Sequence, residues 1–280
     1  MSNRISLGNF ELIAVNDGTY LGDGGAFFGV VPKQLWQRKV KADDQNRIAV
    51  ACNSIVVRTG SKTVLIETGI GNKLPEKTRS FFLPEMKLLQ NLQAAGIQPE
   101  TIDVVINSHL HFDHCGWNTV DKDGKAVPTF PNAKYYAPRG EWEHGKLQLE
   151  RDRVSYISDN YDPLINSGQM QLLDAAREQE VLPGISVEIW PGHTRNMWAV
   201  FVRSGGQTAC YISDLIPTSW HLEPTWVMAY DLFPLESIEN RKKYYARAVP
   251  ERWLTMFTHD PGVAWGYLAR NDGKVSLERV

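Results

Sequence analysis

The stretch that most narrows the possible folds runs from Ile102 to His114. Ile102–Asn107 (IDVVIN) reads as a buried strand. It passes straight into Ser108-His109-Leu110-His111-Phe112-Asp113-His114. Three histidines and an aspartate thus fall within six residues, directly after a core strand. In extended backbone, residues two apart point the same way, so His109 and His111 can close on one ion. Asp113 and His114, where the chain turns away, can face a second. Imidazole and carboxylate suit Zn²⁺ and other borderline divalent metals. Any fold for this chain has to end a core strand at that cluster.

Further ligand types lie far downstream. His193 sits in Pro191-Gly192-His193-Thr194, Asp214 follows the strand-like run Thr208–Ser213, and His259 follows Trp253–Phe257. All three fall at strand ends, where side chains converge on one rim and loops carry function. Five of the seven histidines are thereby used. His144 is left as a helix-surface histidine, and His221 falls in an aromatic segment.

The remainder reads as one domain over residues 1–280, with sequential strand blocks and helices between them. Arg47–Arg58 and Thr63–Glu67 form a hairpin about Thr59-Gly60-Ser61-Lys62. Further strands are expected at 133–137, 181–190, 198–203, 253–257 and 263–269, with a terminal hairpin at Asn271-Asp272-Gly273-Lys274. Helices are expected at Pro84–Ala95, from Arg139 to about Gly145, and at Glu236–Ala248 with a charged face at 239–243.

The composition is that of an ordinary globular chain: 280 residues, 42% hydrophobic, net charge −2. That balance argues against a nucleic-acid partner, which calls for a basic stripe. No uncharged apolar run approaches the roughly 18 residues of a membrane span. Glu11 and Asp17 interrupt the N-terminal apolar stretch, and three scattered cysteines make no disulfide framework, so a cytoplasmic location is expected. Cys115 reads as a small buried residue and Asp103 as a strand-entrance cap.

The HxHxDH run, the PGHT histidine, the later aspartate and the late histidine follow at spacings of 79, 21 and 45 residues. Together they resemble the metallo-β-lactamase superfamily of metallohydrolases, over nearly the whole chain from Arg47 onward. The resemblance implies an α+β fold, the αββα four-layer sandwich, with a two-metal site along one edge of the sheets. Carried over position by position, His109, His111 and His193 hold one cation. Asp113, His114 and His259 hold the other, and Asp214 bridges them. Zn²⁺ is the expected metal, with Fe, Mn or Co as alternatives.

Two such cations share a hydroxide that attacks a carbonyl carbon or a phosphorus, and Asp113 or Asp214 shuttles the proton. The SHLHFDHCG stretch looks most like the N-acyl homoserine lactonase and methyl parathion hydrolase branch. A lactone or other apolar ester is therefore the leading substrate class, ahead of an aryl phosphotriester or a glyoxalase II-like thioester. Two positions depart from the family pattern. Glu67 stands where Asp is usual beside a ligand histidine, and Pro217 stands where lactonases carry a Tyr.

Two aromatic segments, Tyr20–Trp36 and Pro217–Pro234, suggest an apolar cleft beside the metals. Phe27, Phe28, Trp36, Trp220, His221 and Trp226 are the expected lining. The alternative role for these segments is a homodimer interface.

Overall fold

The structure, a computed structural model, describes residues 3–280. Sixteen strands dominate it. The N-terminal half contributes β1 (Arg4–Leu7), β2 (Phe10–Asp23), β3 (Arg47–Arg58), β4 (Thr63–Ile66) and β5 (Val104–Ile106). A small hairpin, β6 (Thr119–Lys122) and β7 (Lys125–Pro128), precedes β8 (Lys134–Pro138) and β9 (Met170–Leu173). The C-terminal half supplies β10 (Gln179–Leu182), β11 (Ile185–Ile189), β12 (Trp198–Ser204) and β13 (Gln207–Tyr211). It finishes with β14 (Leu254–Met256), β15 (Trp265–Asn271) and β16 (Lys274–Arg279).

These make two seven-stranded sheets, in the orders β1-β2-β3-β4-β5-β8-β9 and β10-β11-β12-β13-β14-β15-β16. Their inner faces share a core in which Leu12, Ile55, Val57 and Ile106 meet Val187, Trp198, Val200 and Leu254.

Eight helices cover the outside and the rim: α1 (Gly24–Phe28), α2 (Lys33–Trp36), α3 (Glu76–Phe82), α4 (Leu88–Ala94), α5 (Phe112–Cys115), α6 (Arg139–Leu147), α7 (Asp162–Asn166) and α8 (Pro234–Ala248). Leu88 and Leu92 of α4 and Leu164 of α7 bury the outer face of the first sheet. Tyr244, Tyr245 and Ala248 of α8 cover Ala199, Phe201 and Cys210 of the second. The result is the four-layer αββα sandwich. No helix among the described residues is long and apolar enough to cross a membrane.

Several elements differ from the sequence reading, each for a local reason. The run 181–190 is two strands, because Pro183-Gly184 turns the chain and Gly184 takes a φ of +80°. The helix expected from Pro84 begins only at Leu88. Met86 is left-handed (φ +55°), and the Leu88 amide is held by Asp17 Oδ1 at 2.7 Å. Tyr20 belongs to the long strand β2 and not to a loop. On α8, Arg241 is fully buried within the supposed charged face, where Nε donates to Leu215 O (2.6 Å) and Nη1 to Trp226 O (2.7 Å).

Parallel pairing sets the stage for the site. β4 and β5 run parallel in one sheet, as do β13 and β14 in the other. Their carboxyl ends lead into Glu67, Ser108, Asp214 and His259 respectively. Backbone bonds stitch the sheets together there: Trp198 N to Ser108 O (3.0 Å), Asn53 N to Thr258 O (2.7 Å) and Ala51 N to His259 O (3.2 Å).

Candidate metal centre

After β5 the chain stays extended through His111 (φ −66°, ψ 151°), then winds into the single turn of α5. This local change of direction aims His109 and His111 one way and Asp113 and His114 another. His109 and His111 meet with ring centroids 4.5 Å apart. His193 arrives from the loop after β11, and its Nε2 lies 3.1 Å from His111 Nδ1. One potential ligand nitrogen each from His109, His111 and His193 lies within 4.8 Å of the others.

Asp214 occupies the middle. Its Oδ2 is 3.3 Å from His193 Nε2, 3.4 Å from His114 Nε2 and 3.9 Å from His109 Nε2. Its other oxygen, Oδ1, is 3.1 Å from His259 Nε2. Asp113 closes the second group, with Oδ2 3.6 Å from His259 Nε2 and Oδ1 3.9 Å from His114 Nε2. All seven residues assigned from sequence therefore converge, and the five histidines are each at most 8% exposed.

Three of the imidazoles, His109, His193 and His259, are oriented by bonds to their outward nitrogens, which leaves the inward ones for the site. His259 Nδ1 faces Ala51 O at 2.7 Å, and the His259 amide is held by Pro217 O at 2.8 Å. Proline at 217 thus serves the site through its carbonyl. His109 Nδ1 meets Ser108 Oγ (2.9 Å), which meets Ser213 Oγ (2.7 Å). His193 Nδ1 faces Asp231 Oδ1 at 3.1 Å, and Asp231 Oδ2 accepts from Ser237 at 2.7 Å. Sequence reasoning missed Asp231 entirely, because nothing in its neighbourhood marks it.

Glu67 lies where its sequence position suggested, against the back of His114. Its Oε1 accepts from Ser108 N (2.9 Å) and is 3.5 Å from His114 Nδ1. Glu67 and Ser213 both hold left-handed backbone (φ 63° and 51°), a strained choice for non-glycine residues at two strand ends of the site.

Charge follows this arrangement. Burial works against the Asp214 anion, but His259, His114 and His193 outweigh it and hold the carboxyl well below its usual range. Burial and the neighbouring imidazoles push His109 and His111 well below the ordinary histidine value, so both present neutral lone pairs. Buried His109 Nε2, His114 Nε2 and Asp214 Oδ1 make no hydrogen bond. Unpartnered buried nitrogens and carboxylate oxygens converging on one point fit divalent cations, which would satisfy them together.

A cleft of about 480 Å³ opens onto His111, Asp113, His193, Asp214 and His259. Tyr20, Phe27, Phe81, Phe82, Phe112 and Tyr230 supply its aromatic walls. Of the six residues expected to line it, only Phe27 does so. Phe28 is fully buried, stacked on Trp36 at 5.0 Å and on His221 at 4.9 Å, and Trp226 meets it edge-on. Trp220 packs against the same aromatic cluster behind the cleft. His221 is a satisfied core histidine, bonded at Nδ1 to Thr218 Oγ1 (2.7 Å) and at Nε2 to Phe27 O (2.9 Å). Burial drives its pKa down to about 3. His144 is half-buried on α6, and its Nε2 lies 2.6 Å from Asp152, a residue of the cleft wall. A roomier groove of about 790 Å³ along β11 and α8 has none of the seven converging residues in its walls.

Residues 47–218 match the model of the metallo-beta-lactamase superfamily, well over half of the chain. The chain belongs to the metallo-beta-lactamase superfamily. Within it, an N-acyl homoserine lactonase of Bacillus cereus is 25% identical over 151 residues, half of this chain and 53% of that protein. The chain thus spans about half the length of the curated relatives it matches. A crystal structure of a probable metal-dependent hydrolase from Staphylococcus aureus superposes with a TM-score of 0.86 at 29% identity, covering 99% of both chains. A dizinc quorum-quenching lactonase in complex with a product matches at TM-score 0.81 and 22% identity, covering 99% of this chain and 96% of that one, a likeness of fold.

Proposed function

We propose that this superfamily member is a dinuclear metal-dependent hydrolase of lactones or other esters with an apolar acyl chain, of the N-acyl homoserine lactone type. The observation that carries the reading is the position of Asp214. It stands between the two histidine groups: Oδ2 lies 3.3 Å from His193 of one and 3.4 Å from His114 of the other, and Oδ1 lies 3.1 Å from His259. A carboxylate so placed suits two cations and not one. His109, His111 and His193 would hold the first, and Asp113, His114 and His259 the second, with Zn²⁺ the expected metal. When bound, such a pair supplies Lewis acidity and water that ionises near neutral pH.

The protein's own groups do the rest. Phe27, Phe82, Phe112 and Met228 form an apolar wall that excludes water and accepts an acyl chain. Phe81 and Val154, 56% and 78% exposed, extend that wall to the cleft mouth. Asp113, the least buried of the seven, faces the cleft and can carry the proton to the leaving oxygen. The lactonase relatives and the product-bound dizinc neighbour support a lactone over other esters.

Proton release during opening of a long-chain N-acyl homoserine lactone, followed with a pH indicator, tests the reading. Fast opening that a chelator stops and Zn²⁺ restores is the expected result. Metal-loaded protein that leaves the lactone intact but cleaves an aryl phosphotriester would refute the lactone assignment.

A further inference from the structure

Tyr20 enters the cleft from β2, and its hydroxyl lies 3.2 Å from Asp113 Oδ2. The side chain is 4% exposed. Its ring meets Phe82 and His259 edge-on, at 5.8 and 5.9 Å, and tilts against Phe27 at 6.4 Å. Those contacts fix the oxygen, while the hydrogen remains free to turn about the C–O bond. An ordinary phenol titrates at about 10 in water, so at neutral pH the group is a neutral donor. The same Asp113 oxygen is 3.6 Å from His259 Nε2, so the phenol stands at the junction of the second ligand group and the substrate space.

We propose that Tyr20 is a catalytic residue: its O–H donates a hydrogen bond to the substrate oxygen that gains negative charge as the ester carbon is attacked. The proton stays on the phenol throughout, turning from Asp113 Oδ2 toward the substrate oxygen. The inference rests on the hydrolase reading above and deepens it. A fixed donor inside an apolar cleft needs no reorganisation when the charge develops, which is where such a bond counts most. The competing role is structural, with Tyr20 doing no more than holding Asp113 in place.

Tyr20→Phe keeps the ring contacts and removes only the hydroxyl. Three quantities separate the two roles: bound metal per chain, affinity of the metal-loaded protein for a long-chain alkylphosphonate by calorimetry, and kcat and KM for a long-chain acyl homoserine lactone. The phosphonate carries tetrahedral, anionic oxygens and reports on the donor without turnover. The expected result is unchanged metal content, phosphonate affinity lower by about tenfold, and kcat lower by roughly 100-fold at similar KM. Equal phosphonate affinity in the two proteins overturns the proposal. Loss of metal in step with loss of activity does so as well, assigning Tyr20 to the structural role. A wild-type protein that binds the phosphonate through Tyr20 yet opens no lactone would instead count against the substrate reading alone.

Discussion

Gly116 provides a sharp test of how the metal-binding loops are held together. A Cβ built on Gly116 would lie 1.8 Å from Ile70 O and 2.0 Å from Ile70 C, both backbone atoms. Contacts under 3.0 Å force a shift, so Gly116→Ala has to push the two segments apart by about 1.2 Å. Three backbone bonds bind those segments: Gly116 N to Gly69 O (2.7 Å), Thr68 N to His114 O (2.8 Å) and Trp117 N to Thr68 O (3.1 Å). A displacement of that size takes all three out of hydrogen-bonding range. At about 0.5 to 1.5 kcal/mol each, the loss is roughly 1.5 to 4.5 kcal/mol. For a chain of this size that corresponds to a fall in Tm of roughly 3 to 8 °C. Since the segments carry Glu67 and His114, metal affinity should fall with it. Gly262→Ala is the control, because its Cβ would meet nothing nearer than Asp260 Oδ1 at 3.6 Å, and it should melt like the wild type. Thermal unfolding with and without added Zn²⁺ reads both variants. A Gly116→Ala protein that melts with the control and keeps full metal would show that the contact is not tight in solution.

Two further substitutions probe other supports of the site. Glu67→Asp withdraws the carboxylate from Ser108 N and His114 by one methylene. Metal affinity should drop about 10- to 100-fold in competition with a chromophoric chelator, and unchanged affinity would remove Glu67 from the support of His114. Asp17 is buried beneath the same loops and accepts from Leu88 N, Trp117 Nε1, Ile70 N and Gly71 N. Burial outweighs those four donors and raises its pKa from 3.8 to about 6. The folded state then holds the proton more tightly than the unfolded one, so this group favours folding below pH 3.8 and loses that contribution as pH rises through about 6. The stability of the wild type relative to Asp17→Asn should therefore fall by roughly 2 kcal/mol between pH 4 and pH 7. A pH-independent difference in urea unfolding would contradict this.

Much of the site was legible because its signal is local. His109, His111, Asp113 and His114 sit side by side in sequence, and one strand end followed by one helical turn suffices to divide them. The β3–β4 hairpin and α8 were legible for the same reason, one through its turn residues and the other through its periodicity. What stayed hidden depends on distant partners. Asp231 acts on His193 across 38 positions, and Tyr20 reaches Asp113 across 93. β2 was missed because Asn16, Asp17 and Gly18 interrupt its pattern at a bulge, where the register with β3 shifts. α3 buries no residue and so has no apolar stripe to read. The aromatic residues misassigned to the cleft show the converse. Phe28, Trp36 and His221 are correct in neighbourhood and wrong in direction, because stacking on one another turns them inward.

The division between what was legible and what was not follows the division of labour in the fold. Most of the seven converging residues sit at ends of strands whose neighbours are buried on both faces, and backbone bonds between the sheets lock those ends together. Moving one of them means breaking core structure, so the set leaves a strong and regular mark on the sequence. The cleft walls come instead from α3, from the 151–155 segment and from single aromatic side chains, most of them exposed or half-buried. Few core contacts constrain the exposed residues of α3 and of the 151–155 segment, so these can be replaced at small cost to stability, whereas Tyr20, Phe27, Phe112 and Met228 are packed in a buried cluster. A fold built this way can keep its metal chemistry while its substrate pocket is rewritten, and the same looseness is why residue types alone pointed to the wrong aromatic residues.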